Sequence, residues 1–253
     1  MRPIEDLSVL ITGGGSGLGE GTARHFAERG ALVTITGRRE APLRAVADEI
    51  GDRCRAVVGD VTVADDRAAM VAAAVDHGGG LDALLNNAGN MYRCEVPDLD
   101  EQRLLELFHT NVVGGMMLTR EAHRHLQASE GCVVFVGSVH TQRAFPDASP
   151  YAATKGALEA LTGVLAAELG RDGIRVSCVR PGGVLTEINV RAGLGTLEEQ
   201  RERLDGLGAL HALGRVGTPE EVAEAFEYLV RAEWTTGNVL TVDGGLGLGV
   251  TNG

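Results

Sequence analysis

The sequence predicts an α/β fold: a doubly wound, seven-stranded parallel sheet with helices on both faces, in a single domain covering residues 1–253. Two patterns carry this. Short apolar runs alternate with longer stretches of helical periodicity along the whole chain. The apolar runs are also continuous, as in strands covered on both faces, instead of alternating in polarity. No linker or break in composition divides the chain, so one domain is expected.

Residues 7–12 read as the first strand and 17–29 as the helix that follows, ended by Gly30. The next strand is 32–36, followed by a helix over 40–50 that Gly51 stops. Residues 55–58 make a short strand, and 64–76 an Ala/Val-rich helix closed by Gly78, Gly79 and Gly80. Strands at 81–86 and 132–137 flank a long helix over 101–126, for which Asp100 is the cap. A helix over 151–169, a strand over 175–180, a helix over 219–231 and a strand over 238–242 complete the order. Thr218 as cap and Pro219 at the first helical position mark the start of that last helix. Residues 185–212 interrupt the alternation with a polar, Glu-rich stretch, and a segment of this kind in a compact domain is expected to be a lid over a site.

Composition narrows the partners. Hydrophobic residues are 44% of the chain and aromatics 4%, so the core is built mainly of Ala, Val, Leu and Ile. A net charge of −12 argues against a nucleic-acid or anionic-membrane surface. Apolar runs fall far short of the ~20 residues that span a bilayer. Residues 1–6 lack an apolar signal region, which predicts a cytoplasmic protein. Cys54, Cys94, Cys132 and Cys178 are scattered, without metal or redox spacing, and are expected to be buried thiols. His123 and His125 are two positions apart and do not share a helix face, so no metal site is expected.

The glycine-rich segment Thr12–Gly13–Gly14–Gly15–Ser16–Gly17–Leu18–Gly19 lies between the first strand and the first helix. Gly13, Gly17 and Gly19 let the backbone turn tightly and approach a pyrophosphate, to which the helix N-terminus presents unpaired N–H groups. At the end of the second strand, an acidic residue would accept hydrogen bonds from a ribose 2′-hydroxyl. Here the chain has Thr36, Gly37, Arg38 and Arg39. Two guanidiniums suit a 2′-phosphate, which favours NADP(H), with NAD(H) as the open alternative. Asp60 and Val61 are placed to meet the adenine, and Asn87, Ala88 and Gly89 follow the fourth strand near the cofactor.

The chain has one lysine among its 23 basic residues: Lys155, four positions after Tyr151. On a helix, residues four apart share a face, so ammonium and phenol converge. A nearby cation is expected to lower the tyrosine pKa toward the range of an acid/base catalyst.

Taken with Ser138, thirteen positions before Tyr151, these motifs resemble the short-chain dehydrogenases/reductases over nearly the whole chain. The glycine segment, Asn86–Asn87–Ala88–Gly89, Tyr151-x-x-x-Lys155, Pro181–Gly182 and Val242–Asp243–Gly244–Gly245 come in the order the family has. The resemblance implies a single Rossmann-like oxidoreductase domain with a catalytic tetrad of Asn111, Ser138, Tyr151 and Lys155. It implies that Ser138 holds the substrate oxygen, Tyr151 exchanges its proton, Lys155 binds the nicotinamide ribose and lowers the Tyr151 pKa, and Asn111 holds a relay water. Pro181, Gly182, Val184 and Thr186 are implied beside the nicotinamide. Asn90, Tyr92, His140, Arg143, Phe145 and Leu185 are expected around a small-molecule alcohol or carbonyl substrate, with His140 and Arg143 facing any polar or anionic group. The resemblance also implies a homotetramer or homodimer packed through the fourth and fifth helices, for which the Ala/Leu-rich stretch 157–165 is suited. Trp234, where the family more often has a small residue, departs from its wording without touching the tetrad. A sugar or steroid dehydrogenase using NAD(H), and a catalytically silent redox sensor, are the competing readings. The second is disfavoured because Tyr151 and Lys155 are both present.

Overall fold

A computed structural model describes residues 1–250, apart from the side chains of Arg191, Leu197, Arg201, Arg203, Leu204 and Asp205. The elements run β1 (Ser8–Thr12), α1 (Gly17–Glu28), β2 (Leu32–Gly37), α2 (Glu40–Ile50), β3 (Cys54–Val58), α3 (Ala64–Gly78) and β4 (Ala83–Asn86). They continue with α4 (Glu101–Phe108), α5 (Gly114–Ala128), β5 (Cys132–Val136), α6 (Ser149–Leu169), β6 (Arg175–Pro181), α7 (Ile188–Arg191), α8 (Leu197–Gly208), α9 (Pro219–Arg231) and β7 (Val239–Val242). All seven strands are parallel, in the order β3-β2-β1-β4-β5-β6-β7. The winding reverses between β1 and β4, and a crevice opens there beyond the carboxyl ends of the strands.

The continuous apolar strands are explained by two cores, one on each face. Val9 and Ile11 of β1, with Val33, Ile35 and Val134, pack against Phe26 of α1, Leu43 of α2 and Phe226 of α9. Their neighbour Leu10, with Leu84, Val133 and Phe135, packs on the other side against Met70 of α3, Leu118 of α5 and Leu158 of α6. Successive side chains point to opposite faces, and both faces are dry, so most positions in these strands are apolar and the buried polar ones include Ser8, Thr12, Thr34 and Ser177. Thr12 has its partners at the strand end, where its Oγ1 accepts from the backbone N–H groups of Asn87 and Ala88.

Most boundaries expected from the sequence differ by a residue or two. The long helix expected over 101–126 does not run unbroken: a π-helical turn, His109–Val113, separates α4 from α5. Asp100 caps α4 through the Arg103 N–H at 2.8 Å. The segment 185–212 contains two short helices, α7 and α8, and Thr196 with Glu199 forms a reciprocal cap at the start of α8. Thr218 and Glu221 do the same for α9. Cys132 and Cys178 are buried as expected. Cys54 and Cys94 are only half-buried, because they sit on edge strand β3 and in the loop after β4. All four are free thiols.

Candidate active site

Four elements meet at the carboxyl end of the sheet. Ser138 follows β5, Tyr151 and Lys155 occupy the first turns of α6, and Asn111 sits in the π turn. All four side chains are buried, none more than 7% exposed. A π turn inserts an extra residue into the helical ladder and frees polar groups from it. Asn111 uses this to latch onto the loop after β4: its Oδ1 accepts from Asn90 N–H at 2.8 Å, and its Nδ2 donates to Asn90 C=O at 3.0 Å and to Thr154 Oγ1 at 3.1 Å. Lys155 Nζ donates to the Val136 carbonyl at 2.8 Å and lies 5.3 Å from the Tyr151 ring centroid. Gly89 leaves the gap between Asn111 and Lys155 open, since a Cβ there would lie 3.4 Å from Asn111 Oδ1 and 3.8 Å from Lys155 Nζ.

Ser138 hydrogen-bonds Tyr151 and also lies 2.9 Å from His140 Nδ1. Arg93 Nη2 lies 3.1 Å from His140 Nε2. A guanidinium only donates, so Nε2 accepts and Nδ1 carries the proton. His140 therefore donates to Ser138 Oγ, which leaves the serine's own proton for Tyr151 or for a ligand oxygen.

The electrostatics differ from the expectation of a lysine-depressed phenol. Burial dominates and pushes Tyr151 up to about 12, while the Ser138 hydrogen bond and the Arg93 charge pull it down. Lys155 is turned toward Val136, and burial pushes its own pKa down to about 8 against the raising influence of Cys178 and Glu159. Desolvation thus outweighs the pairing of the two side chains, and the cation acting on the phenol is Arg93.

The nucleotide end of the cleft is lined by Gly13, Ser16, Gly17, Leu18, Arg38, Asp60, Val61, Asn87, Ala88 and Gly89, and the far wall includes Pro181, Gly182, Val184 and Thr186. The loop after β1 forms a cradle with no room for side chains. Gly13 has φ +69°, and a Cβ on Gly19 would fall 2.3 Å from the Gly13 carbonyl. This cradle at the start of α1 fits a dinucleotide pyrophosphate. Gly15 and Gly19 serve packing and do not line the cleft; a Cβ on Gly15 would point at Leu43 of α2. At the end of β2, Arg38 lies 3.7 Å from Asp60. Arg39 stands just outside the lining, with its Nη2 2.8 Å from Glu187 Oε2 and 3.3 Å from Ser16 Oγ.

At the substrate end, Asn90, His140 and Phe145 line the cleft, whereas Tyr92, Arg143 and Leu185 do not. Tyr92 is buried beneath the loop, where its hydroxyl accepts from Asp100 N–H at 3.0 Å and Arg103 covers its ring. Arg143 donates to the Leu246 carbonyl at 3.0 Å and the Leu210 carbonyl at 3.4 Å, so it ties the segment 185–212 to the C-terminal segment. Leu185 is half-buried away from the lining, beside Val184, which makes a parallel bridge with Gly217. Sequence reasoning missed Met91, Arg93, Glu187, Leu207 and Leu246, all of which line the cleft. Arg93 had a signal, a basic residue four positions after Gly89 in the cofactor-facing loop. Leu207 and Leu246 had none, because only the tertiary fold brings α8 and the C-terminal segment to the cleft.

A family model described as Enoyl-(Acyl carrier protein) reductase matches residues 13–247. L-fucose dehydrogenase of Bos taurus is 36% identical over 243 residues, covering 95% of this chain and 89% of that protein. Glucose 1-dehydrogenase of Gluconobacter oxydans is 35% identical over 252 residues, covering 95% and 91%. A crystal structure of 3-ketoacyl-(acyl-carrier-protein) reductase from Brucella melitensis complexed with NADH superimposes with a TM-score of 0.86 at 32% identity, over 96% of this chain and 99% of the other.

Proposed function

The chain belongs to the short-chain dehydrogenase/reductase family and is an oxidoreductase acting on CH–OH groups; on that premise we propose that it interconverts a secondary alcohol and its ketone with NADP(H), using Tyr151 as general acid/base. The observation that carries the reading is the meeting of Asn111, Ser138, Tyr151 and Lys155 in one buried cluster beside the glycine cradle. When bound, the nicotinamide supplies the hydride to the carbonyl carbon or takes it from the carbinol carbon. Ser138 and Tyr151 both hold the substrate oxygen. In reduction, Tyr151 gives its proton to that oxygen as negative charge develops there; in oxidation it takes the proton back. A phenol kept neutral by burial is ready to donate, and the Ser138 bond and Arg93 charge stabilise the phenolate it leaves. Lys155, held by Val136, would bind the ribose hydroxyls of the cofactor, and Asn111 fixes the loop carrying Asn90.

Arg38 and Arg39 support NADP(H), since they present two guanidiniums where a 2′-phosphate would lie. The NADH bound to the Brucella melitensis protein, and the Glu187 carboxylate already on Arg39, favour NAD(H) as the second reading. Assembly as a dimer or tetramer is supported by exposed Val113, Met116 and Val164 on the π turn, α5 and α6. The four free thiols suit a reducing compartment such as the cytoplasm. The lid role of residues 185–212 rests on Glu187, Gln200 and Leu207 lining the cleft.

The test is oxidation of NADPH and NADH against ketones, ketosugars, 3-oxoacyl thioesters and an enoyl thioester, with Tyr151→Phe alongside. NADPH-selective ketone reduction that Tyr151→Phe lowers by about a thousandfold or more supports the proposal. Reduction of only the enoyl thioester, or full activity in Tyr151→Phe, sinks it.

A further inference from the structure

Glu159 is an acid that the mechanism above does not use. It follows Lys155 by four positions on α6, so the two share a helix face. Its side chain is 13% exposed, and it does not line the cleft. Oε1 accepts from Arg180 Nε at 2.8 Å and Oε2 from Arg180 Nη2 at 2.6 Å, the two-pronged pairing of a carboxylate with a guanidinium. Arg180 is equally covered, and its Nη1 donates to Thr241 Oγ1 of β7 at 3.0 Å. Thr141 Oγ1 lies 2.8 Å from Glu159 Oε1 and 2.8 Å from the Ser138 carbonyl. A hydroxyl has one proton and both neighbours only accept, so that proton is shared between them. The Thr141 N–H adds a bond to the same carbonyl at 3.1 Å. Gly137, just before Ser138, lies against the carboxylate: a Cβ there would fall 2.8 Å from Glu159 Oε1 and 3.0 Å from Cys178 Sγ.

We propose that Glu159, clamped by Arg180, is a positioning residue that fixes the turn carrying Ser138 against α6 and so aims the Ser138 hydroxyl at the oxygen it shares with Tyr151. The proposal rests on the oxidoreductase reading and adds a residue to it. Ser138 and Tyr151 come from different elements, the turn after β5 and the start of α6. They hold one substrate oxygen only if that turn keeps its place on the helix, and thirteen positions of chain between them do not ensure this. Glu159 stands on the helix that carries the phenol, so the Thr141 bond ties the serine's turn to that helix directly. Arg180 adds a hold from β6, immediately before Pro181 and Gly182 on the far wall of the cleft. A two-pronged, mostly covered pair keeps its geometry better than a surface ion pair. The demand is strict, since a misplacement of about 1 Å at a reacting centre costs about a hundredfold in rate. Burial pushes the Lys155 pKa down while Cys178 and Glu159 oppose it, so the same carboxylate also favours the charged ammonium.

Three changes separate the links. Thr141→Val removes the shared hydroxyl and leaves the ion pair, and Thr141→Ser keeps the hydroxyl. Glu159→Leu combined with Arg180→Met removes both charges together, so no covered guanidinium is left unpaired. With the best carbonyl substrate and cofactor, Thr141→Val and the combined variant are expected to lower kcat about tenfold, with KM and the cofactor Kd unchanged within about twofold. Thr141→Ser should restore most of the loss. On the residual activity of Ser138→Ala the same changes should cost little more, because they act through Ser138. Full kcat in either variant, or an equal loss in the Ser138→Ala background, overturns the proposal. Crystal structures of the wild type and Thr141→Val give a readout that needs no turnover: Ser138 drawn away from the Tyr151 hydroxyl in the variant upholds the proposal, and Ser138 unmoved overturns it. If no carbonyl compound is reduced with either cofactor, the oxidoreductase reading falls, and the two crystal structures still decide the positioning.

Discussion

Lys155 shows how far a residue's environment reshapes its chemistry. Its ammonium is buried, and its pKa is lowered from the ordinary 10.5 to about 8. Between those values the unfolded chain keeps a proton that the folded protein has released, so stability rises with pH through that window. Below pH 8 the cost of burying the charge is present in full, about 3 kcal/mol. Lys155→Met is therefore expected to melt higher than the wild type at pH 7 and to lose the wild-type gain between pH 8 and 10.5. Thermal melts across that range check this, and parallel curves for the two proteins would refute it. Arg39 gives a second residue-scale prediction. Its guanidinium stands by Ser16 at the nucleotide end, engaged with Glu187. Arg39→Ala should weaken NADPH binding relative to NADH by about tenfold to a hundredfold, the value of a charge-assisted hydrogen bond. Fluorescence titration with both cofactors measures that ratio, and an unchanged ratio would remove Arg39 from 2′-phosphate recognition.

At the scale of elements, helix caps were legible in the sequence because they are local. Thr218 and Pro219 mark the start of α9 in the sequence, and the structure adds Glu221, with both reciprocal bonds at 3.0 and 3.4 Å. Thr218→Ala should cost about 1 kcal/mol, read from denaturant midpoints with activity retained. The π turn was not legible. Nothing in His109–Val113 distinguishes it from ordinary helix; it is stabilised by bonds from Asn111 to Asn90, 21 positions away, and to Thr154, 43 away. Asn111→Leu removes those bonds and should lower kcat more than KM, because it loosens the loop that lines the substrate end and the support beside Lys155. Steady-state rates on the best substrate test this.

For the whole molecule, the seven strands were readable because a sheet covered on both faces is apolar at most of its positions. Their parallel pairing followed from the helices between them. Which strands are neighbours is a tertiary fact, and the crevice between β1 and β4 follows from it. The exposed Val113, Met116 and Val164 belong to this scale too. Light scattering is expected to show a dimer or tetramer, and Val164→Glu to shift it toward the monomer; a wild-type monomer would contradict that assembly.

The sequence by itself determined the order of elements, the glycine segment after the first strand and the four-residue spacing of Tyr151 and Lys155, while Asn111 and Ser138 entered through the resemblance to the family. Tertiary structure decided what those residues experience. It turned Lys155 toward Val136, put Arg93 rather than Arg143 at the substrate end, and placed Tyr92 under a loop instead of in the cleft. The physical reason is that burial and long-range hydrogen bonds depend on which distant segments meet, and spacing along the chain does not specify that.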